Sequence, residues 1–273
     1  MPESKRKVHR WIKTGFLLAI FISICTATNC SKQGSDHLQK AEDLRDKGAY
    51  AQACLEYNKI IDKYPQSPFT AKAQYELGNT YRLYIKDYNN AINSYKSMIS
   101  CFPDSRLAPF AQKYIAEIFM DKLMDYKAAI LEYQRVLDNY PELENSDEFQ
   151  YKIAQCYSLI NDFEQARVEY GILLENFPQT KLSDDAYLQI ASSYYLEDRL
   201  ETAIESYKEV IKRYPKTMSS LHAEFYIGNC YEEMERLEDA LNIYEKLLNK
   251  YIDKEVIQIR IDNIKKRLKK SMR

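Results

Sequence analysis

The sequence is poor in the residues that build tight turns. It has six glycines and eight prolines among 273 residues. No Asn-Gly or Asp-Gly pair joins two runs of alternating apolar residues, a pairing that strongly signals a β-hairpin. Tyrosine, leucine, isoleucine, lysine and glutamate are abundant instead. This composition predicts an almost entirely helical protein with no sheet.

The sequence also lacks the short motifs of common enzyme chemistry. It contains no HExxH motif, no glycine-rich phosphate loop, no GxSxG motif and no CxxC pair. Its only histidines are His9, His37 and His222. Its many acids are scattered, whereas acid–base catalysis needs carboxylates held together in a pocket. We therefore predict a non-enzymatic protein that uses neither a metal nor a cofactor.

Neither sign of charge dominates, and the formal net charge is −1. The first 29 residues hold five basic residues and one acid, which leaves 34 basic against 39 acidic residues in the remainder. Nucleic-acid binding needs clustered positive charge that displaces counterions. A mildly acidic body therefore predicts that nucleic acid is not a partner.

Residues 1–29 have the three parts of an export signal: a basic start, an apolar run from Gly15 to Ala27 and a short exit. The run of 13 residues is shorter than the roughly 20 that span a bilayer. Extending it back to Trp11 would bury Lys13, so cleavage is favoured over a retained membrane anchor.

The segment Ala27-Thr28-Asn29-Cys30 resembles a relaxed lipobox, the motif at which a bacterial signal is cut and the cysteine receives lipid. The resemblance implies lipidation of Cys30, with residues 30–36 as a polar tether and Ser31 favouring the outer membrane. Asn29 and Ala27 depart from the usual motif. Ordinary cleavage after Ala27, leaving Cys30 as a plain thiol, therefore remains open.

The body of the chain is organised around a unit typified by residues 186–217. Apolar residues recur there at steps of three and four along two helical segments, separated by Glu197, Asp198 and Arg199 and ended by Pro215. This pattern predicts a helical hairpin with one apolar side. Such a hairpin must stack on neighbours of the same kind.

Five further copies of this unit are present. Small residues recur at Ala41, Gly78, Ala116, Ala154, Ala191 and Gly228 in the first helix. In the second helix, Ala53, Ala91, Ala129, Ala166, Ala203 and Ala240 are each followed four residues later by a tyrosine. The second-helix alanines lie 37 or 38 residues apart, so the copies are in register.

The pattern resembles the tetratricopeptide repeat, a hairpin with small residues, aromatics and a proline at fixed positions. The resemblance covers residues 34 to about 252 and implies a right-handed α-solenoid. We expect six hairpins over residues 37–252, followed by a capping helix with a basic tail over residues 253–273. The second and third units carry one extra residue between their helices. The long period is similar to that of BamD-like and CpoB-like repeat proteins of bacterial envelopes.

The capping helix is predicted from its own apolar spacing. Ile257, Ile261, Ile264 and Leu268 lie on one face, and Asp253 can cap the helix start. The four cysteines beyond the N-terminal segment, Cys54, Cys101, Cys156 and Cys230, occupy repeat positions that are usually apolar. We therefore expect small buried side chains rather than disulfides or metal ligands.

A peptide-binding surface is predicted on the first helices of the units, the face that lines the concave side of such arrays. Aromatic side chains beside cationic and amide groups suit an extended peptide segment. The predicted residues are Lys72, Tyr75, Asn79, Arg82, Lys113, Tyr114, Tyr151, Lys152, Tyr195, Phe225, Tyr226 and Asn229. The Lys and Asn pattern by which some relatives clamp a C-terminal carboxylate is not reproduced in consecutive units.

Together these features predict a scaffold on the periplasmic side of the envelope, held by an N-terminal lipid or anchor. The resemblance to envelope repeat proteins implies that it binds other envelope proteins in outer-membrane protein assembly or envelope maintenance. Two alternatives stay open: an inner-membrane anchored array that assists secretion, and a peptidoglycan-binding or enzyme accessory subunit.

Overall fold

The computed structural model describes residues 32–251 and 253–271. Within these residues every regular element is a helix, as the composition predicts. None of the helices in this part of the chain is both long and apolar enough to cross a membrane. The predicted export signal and Cys30 lie outside the described residues.

The helices divide into two compact units, with the boundary between Leu123 and Met124. The first unit contains α1 (residues 32–46), α2 (Tyr50–Lys63), α3 (Thr70–Thr80, extended by a π-helical turn over Tyr81–Ile85), α4 (Tyr88–Cys101) and α5 (Ala108–Asp121). The second contains α6 (Tyr126–Asn139), α7 (Ser146–Leu159), α8 (Phe163–Asn176), α9 (Ser183–Leu196), α10 (Leu200–Arg213), α11 (Met218–Glu233), α12 (Leu237–Leu247) and α13 (Lys254–Ser271).

Each unit is built by packing helices that follow one another in the chain. In the first unit α2 packs on α3, α3 on α4 and α4 on α5. In the second, each helix from α6 to α13 packs on the next, and α9 also contacts α11. The described chain thus has the predicted architecture of hairpins followed by a terminal helix.

The cores are formed by the alanine and tyrosine that recur in the second helices. All six alanines are fully buried, and their tyrosines are at most 2 % exposed. These tyrosines are Tyr57, Tyr95, Tyr133, Tyr170, Tyr207 and Tyr244. Each ring supplies a large apolar area to the interior of its hairpin, which explains why the pair repeats in register.

The turns within the hairpins share one backbone feature. Each has a residue with positive φ five positions before the recurring alanine. These residues are Gly48, Lys86, Met124, Asn161, Asp198 and Glu235, with φ between 53° and 77°. Only Gly48 adopts this left-handed conformation without a steric penalty.

The second and third hairpins each have one extra residue, and each extra residue widens the end of that hairpin's first helix, α3 or α5. After α3 the chain forms the π-helical turn Tyr81–Ile85. After α5 the amide of Leu123 donates to the carbonyl of Ile118, five residues back, over 3.0 Å. Both are the i to i−5 pattern of a π-turn, which accommodates one more residue.

Side-chain caps fix several helix starts. Asp87, Asp125 and Asp162 each accept a hydrogen bond from a backbone amide three residues ahead, at the starts of α4, α6 and α8. Asp253 Oδ1 accepts from the amide of Val256 over 3.1 Å at the start of α13, which confirms the predicted cap. Such caps satisfy amides that have no partner within the helix.

The terminal helix α13 closes the second unit. Ile257, Ile261 and Ile264 are at most 2 % exposed and pack in one cluster with Tyr244 and Leu247. The apolar face of the last hairpin is therefore covered, as the spacing of these isoleucines predicts. A repeat array needs such a cap to remain soluble.

Two local features differ from the sequence-based expectations. Residues 32–36, predicted as tether, are helical and belong to α1. Gly34 lies against Ser67 there, and a Cβ at this position would be 2.4 Å from the Ser67 hydroxyl oxygen. Cys54, Cys156 and Cys230 are buried, but Cys101 is exposed, because it is the last residue of α4.

Candidate functional site

In the first unit, three tyrosines on neighbouring helices form a compact aromatic cluster. The ring centroid of Tyr75 lies 5.9 Å from that of Tyr95 and 6.2 Å from that of Tyr114. The centroids of Tyr95 and Tyr114 are 5.8 Å apart. Tyr75 and Tyr114 are partly exposed, whereas Tyr95 is fully buried. Burial raises the pKa of the Tyr95 phenol, so the hydroxyl is neutral.

A cation and an amide complete this cluster. The guanidinium carbon of Arg82 lies 3.7 Å from the centroid of the Tyr114 ring. Arg82 Nε donates to the hydroxyl of Tyr95 over 3.2 Å, and that hydroxyl donates to Asn79 Oδ1 over 2.7 Å. We name these five residues, Tyr75, Asn79, Arg82, Tyr95 and Tyr114, the Arg82 cluster.

The other two predicted residues of this unit pair with nearby acids. Lys72 Nζ lies 2.7 Å from Glu42 Oε1, and Lys113 Nζ lies 3.5 Å from Glu117 Oε1 one helical turn away. The lysine side chains are 47 % and 32 % exposed. Surface ion pairs of this kind contribute little to stability.

In the second unit, the predicted aromatic residues also contact one another. Tyr226 lies between Tyr195 and Phe225, with centroid distances of 6.1 Å and 5.7 Å, and stacks on the buried Tyr207 at 5.5 Å. The Tyr195 hydroxyl donates to Glu233. Burial and this carboxylate together raise the pKa of Tyr195.

Three predicted residues of this unit form hydrogen bonds with neighbouring side chains. Tyr151 is 9 % exposed and its hydroxyl donates to Asp185. Asn229 is also 9 % exposed, and its side-chain oxygen accepts from Tyr244 over 2.7 Å. Lys152 donates to Gln155 over 3.1 Å. Adjacent helices thus cover Tyr151 and Asn229, and their role in partner binding stays a prediction.

The structure also shows contacts that the sequence pattern did not indicate. Arg260 and Arg267 reach from α13 to Glu232 of α11, over 3.3 Å and 3.0 Å. With Tyr195, Asn229, Glu233 and Glu235 they line a cavity of about 290 Å³. Helical spacing cannot indicate these contacts, since Glu232 lies about 30 positions earlier in the chain.

Hydrogen bonding separates two otherwise equivalent core tyrosines. The Tyr57 hydroxyl is buried and has no hydrogen-bond partner among the described residues, whereas Tyr95 contacts both Asn79 and Arg82. We expect Tyr95→Phe to lower the free energy of unfolding by about 1 kcal/mol, and Tyr57→Phe to leave it unchanged or slightly higher. Urea unfolding followed by circular dichroism measures both. Equal losses in the two variants would contradict this assignment.

The described residues contain no group of three or more His, Cys, Asp or Glu side chains arranged to hold a metal ion. The Arg82 cluster offers tyrosine rings, a guanidinium and an amide, groups that suit contact with another protein segment.

Comparison with known proteins supports the fold. The family model for the tetratricopeptide repeat matches residues 38–67, 72–105, 148–180, 185–217 and 222–251. Together these segments make up more than half of the chain. The matched segments omit the third predicted hairpin, in which the boundary between the two units also falls. No curated protein sequence matches the chain.

Three solved structures are similar to the chain at low sequence identity. A tetratricopeptide repeat protein from Parabacteroides merdae is 18 % identical with a TM-score of 0.55, and 86 % of each chain is covered. The type IV pilus biogenesis factor PilW is 16 % identical with a TM-score of 0.51, over 83 % of this chain and 97 % of PilW. A chain of the Naa15/Naa10 complex bound to HypK is 14 % identical with a TM-score of 0.56, over 85 % of this chain and 39 % of that one. These similarities concern the fold alone.

Proposed function

Because the chain belongs to the tetratricopeptide repeat family, we propose that it is a non-enzymatic scaffold that binds peptide segments of partner proteins. The observation that carries the proposal is the Arg82 cluster. It places partly exposed tyrosine rings, an amide and a guanidinium on α3 and α5, the first helices of two successive hairpins. Both helices belong to the first compact unit. Rings of this kind give an extended peptide apolar contact area, and the polar groups bond its backbone or side chains.

The proposed location is the periplasmic side of a bacterial outer membrane. The apolar run before Cys30 and the lipobox-like segment support export and lipidation. Several acyl chains hold a protein stably on a bilayer, whereas a single chain does not. The repeat period, similar to that of BamD-like and CpoB-like proteins, supports a role in outer-membrane protein assembly or envelope maintenance.

The peptide-binding surface is tested by site-specific photo-crosslinking in intact cells. A photoreactive amino acid replaces Lys72 on α3 or, as the matched control, Asn93 on the second helix α4 of the same unit. Both positions are exposed. We expect discrete cross-linked partner proteins from position 72 and none from position 93. Cross-linking to glycan alone, or equal yields at both positions, would contradict the proposal.

Lipid anchoring is tested by substituting the predicted acceptor. We expect Cys30→Ala to abolish labelling with a radioactive fatty acid and to release the protein from membranes, because the acceptor thiol of the lipobox-like segment would be absent. Cys101→Ala, which removes the one exposed cysteine of the described residues, serves as the control and should retain the label. A label that persists in Cys30→Ala would show that the lipid is attached to another residue. Density-gradient separation of the membranes then distinguishes the inner membrane from the outer membrane as the location.

A further inference from the structure

Arginines stacked on tyrosine rings recur among the described residues. Arg167 and Arg199 lie over the ring of Tyr194, Arg213 over Tyr187 and Arg236 over Tyr231, at 4.4 to 4.9 Å from the ring centroids. Arg82 over Tyr114 is closer, at 3.7 Å. A planar guanidinium favours this position because the ring face carries partial negative charge.

In the second unit, each of these stacked arginines also contacts a carboxylate. Arg167 makes the fullest arrangement, since Nη1 and Nη2 donate to the two oxygens of Glu197 over 2.9 Å and 3.2 Å. Arg199 lies 3.7 Å from the same residue. Arg213 pairs with Glu209 and Arg236 with Asp239, each at 2.6 Å. The ring orients the guanidinium, and the acid takes the donors that remain.

Arg82 is stacked on a tyrosine ring, like the arginines of the second unit, but it does not share their contact with a carboxylate among the described residues. Its Nε is taken by the Tyr95 hydroxyl, which is held in turn by Asn79. Among the described residues no carboxylate lies within salt-bridge distance of its guanidinium, so both Nη groups lack an acid. Of the three acids on α3 and α5, Glu76 pairs with Arg45 at 2.9 Å and Glu117 with Lys113, and Asp121 is the last residue of α5.

The position of Arg82 is therefore fixed before any partner binds. One face of the guanidinium rests on Tyr114, one donor is bound, and Tyr95 cannot move because it is fully buried. A guanidinium held in this way loses little conformational entropy when it binds a carboxylate through two parallel hydrogen bonds. This is the ligand that completes the same arrangement at Arg167.

We propose that Arg82, stacked on Tyr114 and held by Tyr95, is the receptor for a carboxylate of the bound peptide segment. The inference rests on the proposed peptide-binding function and specifies the chemistry of the partner. An Asp or Glu side chain supplies the carboxylate, and the flanking rings of Tyr75 and Tyr114 contact the apolar residues beside it. A terminal carboxylate has the same chemistry and is separated from a side chain in the experiment.

The test is selection of short random peptides on the full chain and on two variants. Arg82→Gln removes the stacked cation, and Arg106→Gln removes an exposed cation of the same unit for which the described part of the chain shows no stacked tyrosine. We expect peptides selected by the unsubstituted chain and by Arg106→Gln to share an acidic residue at a fixed place. Peptides selected by Arg82→Gln should have no such preference.

The selected acid is then replaced in synthetic peptides by its amide, Asp by Asn or Glu by Gln. We expect this change to weaken binding to the unsubstituted chain by about tenfold and binding to Arg82→Gln by less than about twofold. Amidating the peptide C-terminus should leave affinity unchanged. Affinity that is lost on amidation instead would identify the terminal carboxylate as the group bound by Arg82.

Two outcomes overturn the inference, and they differ in what they leave standing. Selection of the same acidic peptides by Arg82→Gln, or of peptides without acids by the unsubstituted chain, refutes the role of Arg82 and leaves peptide binding intact. Failure to select any peptide, combined with no cross-link from position 72, refutes the proposed function as well. Arg82→Lys keeps the charge but not the planar fork, and should bind acidic peptides at intermediate strength if Arg82→Gln does not fold.

Discussion

Gly78→Ala and Gly228→Ala are each expected to lower the free energy of unfolding by about 2–4 kcal/mol. A Cβ at Gly78 would lie 2.6 Å from Cε1 and 2.7 Å from Cδ1 of Tyr95, and a Cβ at Gly228 would lie 2.6 Å from Cε1 of Tyr244. Both rings are fully buried, so neither can move aside. Any forced displacement of a ring would also break its hydrogen bond to the asparagine that follows the glycine, Asn79 or Asn229.

Gly171→Ala provides the matched control for these substitutions. Gly171 lies within α8, and a Cβ there would meet nothing within 4 Å. Alanine favours a helix interior over glycine by about 0.5–1 kcal/mol, so this variant should be slightly more stable. If Gly→Ala lowers the free energy of unfolding at positions 78 and 228 but raises it at position 171, the loss is due to the contact with the tyrosine ring. Urea unfolding measures all three, and equal effects would contradict the close packing.

Glu56→Gln is expected to cost about 1–3 kcal/mol at neutral pH. Glu56 is 5 % exposed and lies within 2.9 Å of three partners, His37, Lys40 and Lys59. Burial disfavours its charged form, but hydrogen bonds from Lys40, Lys59 and His37 outweigh burial and lower the pKa of Glu56 to about 2. The amide keeps the shape of the side chain and loses the charge.

The pH dependence of this effect follows from the lowered pKa. Stability contributed by a carboxylate with a depressed folded-state pKa is fully present above the ordinary value of 4.5 and is lost as the pH falls towards 2. The difference between the unsubstituted chain and Glu56→Gln should therefore narrow over that window. Glu205→Gln is the control, since Glu205 pairs with Lys208 at 2.7 Å but is 72 % exposed, and its loss should stay below about 0.5 kcal/mol. A difference for Glu56→Gln that does not change with pH would contradict the role of its charge.

The hairpins could be predicted because their signals are local and repeated. The alanine and tyrosine of each second helix recur in register, and all of these side chains are buried. Proline and the residues before it mark where helices end, as at Tyr214 and Pro215 after α10. Helical spacing also identified the cap and the buried face of α13.

The beginning of α1 could not be located in the same way. The segment SKQGSD has no apolar periodicity and contains a glycine, so it resembles a linker. Gly34 nevertheless packs against Ser67, about 30 positions later. That contact needs a residue without a side chain, and nothing in the local pattern indicates it.

The candidate site was only partly accessible to sequence reasoning. Tyr75, Asn79, Arg82 and Tyr114 were predicted together and do form one cluster, whereas their role in binding remains a prediction. Tyr95 is not among the predicted binding residues, although its hydroxyl joins Arg82 to Asn79. A repeat position shows that a ring is buried but not where its hydroxyl points.

The sequence by itself determined the helical class, the hairpin unit and the apolar face of each helix, because these depend on spacing within about 40 residues. The tertiary structure decided which polar groups meet. Arg167 and Arg82 are both arginines stacked on tyrosines, yet of the two only Arg167 has a carboxylate partner among the residues that the structure describes. The physical reason is that Arg167 and Glu197 are 30 positions apart in the sequence, so they come within about 4 Å only because of how their helices pack.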